Sequence, residues 1–197
     1  MTAPLPPQDL HHRQPELIEL VAGQVLHRFH TAIYDPVYFD RSQDGRFNAP
    51  DGSYGVLYTA KDIEAAFAET FLREPGRTMI DLGFLKTKAY AAFVLVRPLR
   101  LVKLAGRGLA HVAATAEVSH GGLPYDLPQS WSRALRNHPA AADGIAYTAR
   151  HDDAALCCAI YDHAGEALEV LRTEADLDQD WFWSIAAQYR VGIAPGN

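Results

Sequence analysis

Cysteine is nearly absent from this 197-residue chain: Cys157 and Cys158 stand side by side in the apolar run LCCAIY, and there are no others. Neighbours on a strand point to opposite faces, so the two make a poor disulfide pair, and a disulfide framework is excluded. They read as buried thiols of a reducing compartment. No apolar run reaches the roughly 20 residues that span a bilayer. The longest candidate, Ala89 to Val96, reads as a buried strand. The opening MTAPLPPQDL has neither a basic stretch nor an apolar core, so no secretory signal is expected and the cytoplasm is the default location.

Positive charge is also in short supply. Eighteen Lys and Arg against 24 Asp and Glu leave a formal charge of -6 and a pI near 5.8, which argues against a general polyanion binder. A local basic pocket for a small phosphate ligand remains compatible with that balance. Familiar catalytic signatures are missing: G-x-x-x-x-G-K-[ST], H-E-x-x-H, G-x-S-x-G and C-x-x-C do not occur. Gly106-Arg107-Gly108 lacks the third glycine of a dinucleotide fingerprint and follows the wrong element, so a Rossmann fold is not expected. His27 and His30 lie three apart on a strand and face opposite ways, which argues against a metal site there.

What is present suits one globular domain with a full core: 48% hydrophobic and 21% charged residues. Residues 1–13, proline-rich and polar, are expected to form a flexible arm, and residues 14–197 a single domain. Pro15 to Ala22 fits a short helix stopped by Gly23, and Gln24 to Thr31 a strand with Arg28 in its middle. A cation placed there needs a partner or a ligand. Ile33 to Ser53 is a long irregular stretch of turn signals, and such loops are usually functional. Strands are expected over Tyr90 to Arg97, Leu99 to Leu104, Gly144 to Ala149, Ala155 to Tyr161 and Ala167 to Leu171, with Asp152-Asp153 as a turn. Ala105 to Asn137 looks mainly helical, with Ser130, Ser132, Arg133 and Arg136 as solvated surface. Leu177 to Tyr189 reads as an amphipathic segment whose aromatics anchor it to the core. Many short strands with interleaved helices make the class α+β.

The stretch Tyr54 to Leu72 organises the rest. Val56 to Thr59 alternates as a strand and gives way to a helix at Thr59-Ala60-Lys61-Asp62. Ile63, Ala66, Phe67, Thr70 and Phe71 then form one apolar stripe. Glu69 falls at the edge of that stripe among Ala65, Ala66, Ala68 and Leu72. Taken alone it is an ordinary boundary glutamate, yet small neighbours leave space beside it and little to pair with.

Arg28 in a strand, Gly45-Arg46-Phe47-Asn48 in a loop, Tyr58 at a strand end, Glu69 on the next helix and the strand Gly144 to His151 occur in an order that resembles the RES-domain family. These are the toxins of RES–Xre toxin–antitoxin pairs, named for a shared arginine, glutamate and serine, and the resemblance runs from about Val25 to Leu171. It implies an ADP-ribosyltransferase-like fold and cleavage of the nicotinamide–ribose bond of NAD+, by hydrolysis or by phosphorolysis with inorganic phosphate as co-substrate. Glu69 would then stabilise positive charge on the ribose. Arg28, with Arg46 as second choice, would hold the pyrophosphate, and Tyr58 would stack on the nicotinamide. Phe47 and Asn48 join Arg46 as NAD+-binding residues, and no metal is called for.

The departure is Ala149, which stands where the family's G-I-x-Y-x-S-R-H has its serine. Strand alternation sends the adjacent Thr148 to the other face, so it replaces the hydroxyl only through a bulge. The resemblance therefore implies slower or weaker turnover. Two alternatives stand beside it: a domain that binds NAD+ or a partner protein without turning it over, and a protein ADP-ribosyltransferase. The resemblance further implies an Xre-type antitoxin as partner, with which the chain would form an oligomer. Any DNA contact would come through that partner rather than directly.

Overall fold

The computed structural model describes residues 4–74 and 76–194. The fold is organised around an eight-stranded sheet built from β1 (Leu17–Leu20), β2 (Val25–Thr31), β3 (Val56–Ala60), β5 (Lys88–Leu95), β6 (Leu99–Lys103), β7 (Gly144–Ala149), β8 (Asp152–Tyr161) and β9 (Leu168–Glu174). Their order is β1-β6-β7-β8-β3-β2-β5-β9. Within this sheet β6 and β7 run parallel and the other neighbours antiparallel. β4 (Met79–Ile80) and β10 (Gly192–Ile193) form a separate parallel pair.

Alternation along the strands divides the core into two layers. Phe29, Val56, Ala60, Tyr90, Ala92, Ile145, Tyr147 and Cys157 point to the helical side, where α1 (Ile63–Phe71), α5 (Asp126–Arg136) and α6 (Asp180–Gln188) pack; the short helices α2 (Leu82–Leu85), α3 (Arg107–Val112) and α4 (Glu117–His120) lie between α1 and α5 in the chain. Leu26, Leu57, Ala91, Phe93, Ala146 and Cys158 point the other way, toward Val37, Phe39, Ala164 and Ala167. Strands buried on both faces read as near-continuous apolar runs, which is why β5 and β8 stand out in the sequence. The adjacent cysteines fall on opposite layers and are free thiols.

α1 is fixed by aromatics. Phe71 lies 5.2 Å from Phe29 of β2 and 5.0 Å from Phe182 of α6, ring centre to ring centre, and Phe67 lies 5.4 Å from Phe182. Each buried ring contributes about 1.5–3 kcal/mol. Ala65, Ala66 and Ala68 are buried beside them and bring the helix close to β7 and β8.

Several expectations differ from the structure. Pro15 to Ala22 is not a helix: Leu17–Leu20 is the edge strand β1, paired with β6 from Leu17↔Val102 to Leu20↔Leu99. A helix of eight residues gains little on its own, and the open edge of β6 offers a full ladder instead. Glu16 seals that pairing, its carboxylate 3.1 Å from Lys103 Nζ. Residues 4–13, expected as a loose arm, are largely exposed but anchored at two points. Leu10 is buried, its carbonyl lies 3.0 Å from His138 Nε2, and the Pro4 carbonyl accepts from Trp131 Nε1 at 2.9 Å. Ser132 is not solvated surface either; its hydroxyl donates to the Phe47 carbonyl at 2.6 Å in the core. Asp152 and Asp153 begin β8 rather than forming the turn, which falls on Arg150 and His151.

Candidate active site

β2 and β3 share a single ladder pair, His27↔Ala60, and separate beyond it. Arg28 follows at once. Its Nη1 reaches only the Tyr38 carbonyl, at a long 3.4 Å, and among the described residues no carboxylate lies within ion-pair distance of it. Burial pulls the Arg28 guanidinium down to about 10, so it is still a cation at neutral pH, one with hydrogen-bonding capacity to spare.

The Gly45–Asn48 segment is held from below. Asn48 donates to Asp40 Oδ2 and to the Ser42 carbonyl, each at 2.9 Å, and accepts from the Tyr58 hydroxyl at 2.8 Å. The same Tyr58 oxygen accepts from the Phe47 N–H at 2.8 Å. Gln129 Nε2 donates to the Gln43 and Gly45 carbonyls. A Cβ on Gly45 would collide with the Asn48 amide, which accounts for the glycine. Phe47 and Asn48 are both 0% exposed. The expectation that they touch a ligand is therefore corrected: they have no surface to offer, and their work is to shape the loop that presents Arg46. Tyr58 is partly exposed, so its ring keeps an accessible part while its hydroxyl is committed to the loop.

Arg46 meets Glu69. Its Nη1 lies 3.9 Å from Glu69 Oε2, and its guanidinium sits over the Tyr147 ring, 5.7 Å from the centre. Nε and Nη1 of Arg46 are buried without a hydrogen-bond partner. Glu69, in the last turn of α1 and 23% exposed at its side chain, accepts the Arg150 backbone N–H on Oε1 at 3.1 Å. The Tyr147 hydroxyl donates to Oε2 at 3.4 Å. Burial, reinforced by the Glu69 charge, pushes the Tyr147 hydroxyl well above its ordinary range, so it stays protonated and keeps donating. The arrangement is a carboxylate held from one side, facing a guanidinium that is not yet satisfied.

Ala149 shares a layer with Ile145 and Tyr147, as strand alternation requires. Its methyl is 0% exposed. It adjoins the Arg150 amide that holds Glu69. The ladder shifts register between Thr148 and Ala149. Thr148 is partly exposed and its Oγ1 lies 3.3 Å from His120 Nε2. A groove of about 650 Å³ lined by Ala116, His120, Arg150, His151, Asp152 and Asp153 opens beside this turn. Sequence reasoning missed Tyr147 and the Arg150 amide as the partners of Glu69. The signal available was parity, since Tyr147 and Ala149 share a face.

Among the described residues no group of three His, Cys, Asp or Glu side chains is placed to hold a metal ion, and no helix is long and apolar enough to cross a membrane.

A mixed sheet with helices on one face, opened between two central strands, is an ADP-ribosyltransferase-like architecture. It is similar to a chain in the crystal structure of the M. tuberculosis MbcT–MbcA toxin–antitoxin complex, with a TM-score of 0.60 and 14% sequence identity over 87% of this chain and 91% of that one. Residues 25–183 match the RES domain, and the chain belongs to the RES-domain family. No curated protein is significantly similar in sequence.

Proposed function

We propose that this chain is the toxin of a toxin–antitoxin pair and acts by cleaving the nicotinamide–ribose bond of NAD+. The observation that carries the reading is the Glu69 carboxylate, oriented by the Arg150 N–H and Tyr147 hydroxyl beside the unsatisfied Arg46 guanidinium. As the bond breaks, nicotinamide leaves with the bonding electron pair and positive charge develops on the ribose, as in glycoside cleavage. An ionised carboxylate already in place stabilises that charge without reorganising. Water, or inorganic phosphate, then forms the new bond to the ribose carbon and gives up its proton to solvent. Arg28 and Arg46 supply the positive field for the pyrophosphate, with Arg28 the less committed of the two.

Membership of the RES family and the similarity to a toxin–antitoxin complex support the toxin role and an antitoxin partner, which we place in the Xre class. Incubation with NAD+, with and without phosphate, tests the chemistry. Nicotinamide release is expected, and dependence on phosphate separates phosphorolysis from hydrolysis. No release at high enzyme concentration, even from Ala149→Ser, overturns it. The buried methyl of Ala149 favours a second reading, in which the domain binds NAD+ without turnover. Calorimetry that shows binding where no product forms would select that one.

A further inference from the structure

The first part of the long β2–β3 connection carries an exposed aromatic pair that the chemistry above does not use. Tyr34 and Tyr38 stack with ring centres 4.9 Å apart and planes within 11°. They are 49% and 41% exposed, and Ile33 beside them is 83% exposed. The pair stands on an ordered turn. Tyr34 N–H donates to the Thr31 carbonyl at 3.0 Å, Ala32 N–H to the Thr87 carbonyl at 2.9 Å, and Val37 N–H to Asp35 Oδ1 at 2.7 Å. Single exposed apolar residues need no explanation, but two tyrosines pre-stacked in water form a flat surface with little conformational entropy left to lose.

The position of that surface identifies what it takes. Tyr38 carries both the ring and the carbonyl that Arg28 Nη1 reaches. Asp40, the carboxylate nearest in sequence, is already taken by the Ser42 N–H, the Ser42 hydroxyl and Asn48. An anion on Arg28 and a ring on the tyrosines are thus separated by the span of one residue, comparable to the ribose that separates a base from its phosphate. The two rings leave no room for a third between them, so a base lies on an outer face. We propose that Tyr34 and Tyr38 form the stacking platform for the adenine ring of the dinucleotide, next to the Arg28 guanidinium that takes its phosphate. This deepens the NAD+ reading and rests on it for the identity of the ligand.

Calorimetry with ADP and with nicotinamide mononucleotide, each on the full chain, tests the platform. Wild type is expected to bind ADP. The double variant Tyr34→Ala, Tyr38→Ala is expected to bind it roughly tenfold more weakly or worse, the loss typical of one base–aromatic stack, with nicotinamide mononucleotide affinity unchanged. The double variant Tyr34→Phe, Tyr38→Phe keeps the rings and is expected to retain ADP binding. The proposal is overturned if wild type fails to bind ADP, if the alanine variant binds it as well as wild type does, or if both ligands weaken equally. Loss of ADP binding in the phenylalanine variant also overturns it. ADP binding that depends on the rings in a protein that releases no nicotinamide would refute the enzymatic reading and leave the platform standing.

Discussion

The β2–β3 connection behaves as two different materials. Residues 45–49 lie largely inside the protein, with Phe47, Asn48 and Ala49 wholly buried and tied to Asp40, Ser42, Tyr58, Gln129 and Ser132. Residues 32–35 are exposed throughout, and the turn they form displays the Tyr34 ring on its surface. The first is a clamp tied down by buried hydrogen bonds to its backbone and to the Asn48 amide, and it holds Arg46, with Nε and Nη1 still unpartnered, against Glu69. The second has few internal commitments and presents surface. One connection can thus fix a reacting group and offer a recognition patch, because buried hydrogen bonds are costly to break and exposed rings are free to be covered.

The comparison can be broken most severely at the clamped end. Glu69→Gln keeps the Arg150 N–H contact but removes the charge. NAD+ turnover is expected to fall by about a hundredfold or more, with the urea midpoint nearly unmoved; full retained activity in nicotinamide release would remove Glu69 from the chemistry. Asn48→Ala deletes three buried hydrogen bonds and strands the Tyr58 hydroxyl proton and the Ser42 carbonyl, while Asp40 keeps the Ser42 N–H and hydroxyl. A loss of about 2–4 kcal/mol of unfolding free energy is expected, read by urea denaturation, together with weaker turnover because Arg46 is no longer held.

Ala149→Ser sharpens the contrast at the far side of Glu69. The position is buried, so the added hydroxyl must find a partner, and a stability change within about 1.5 kcal/mol is expected. Turnover is expected to rise, by less than about tenfold if the hydroxyl only orients substrate. A drop in both stability and turnover would mean that the bulge after Thr148 has already closed the space.

At the exposed end the effects are smaller. His30, buried where β2 passes into the exposed turn, has its pKa lowered by burial. The unfolded chain takes up a proton there near pH 6.5, before the folded chain does, so the contribution of His30 to stability is full above pH 6.5 and is lost as pH falls toward the folded value. His30→Asn is expected to flatten the loss of unfolding free energy between pH 7 and 5. Ile33→Ser, at a site with little packing, should leave the urea midpoint within about 0.5 kcal/mol of wild type. A larger loss would show that the turn is as firmly built as the clamp.

Much of the fold was legible in the residues. Alternation located β2, β3, β5, β6, β7 and β8, and the Ala/Phe periodicity located α1 and put Glu69 at its edge. The short LIEL segment was misread because an eight-residue pattern does not distinguish a weak helix from a strand that a neighbouring edge completes. Ser132 was misread for a related reason. Hydroxyls look like surface until a tyrosine and a carbonyl from distant segments come to meet them.

The sequence by itself determined the periodicities, the α+β class, the opposite facing of the two cysteines and the family order from Arg28 through Glu69 to the strand ending at Ala149. Each depends on local sterics and on spacing along the chain. Only the tertiary structure decided that Phe47 and Asn48 serve the loop rather than a ligand, that Glu69 is held by Tyr147 and the Arg150 amide, and that Ala149 is covered. Those outcomes depend on hydrogen bonds and burial between residues up to about 80 positions apart, and no local pattern encodes which distant group will arrive to satisfy a buried polar atom.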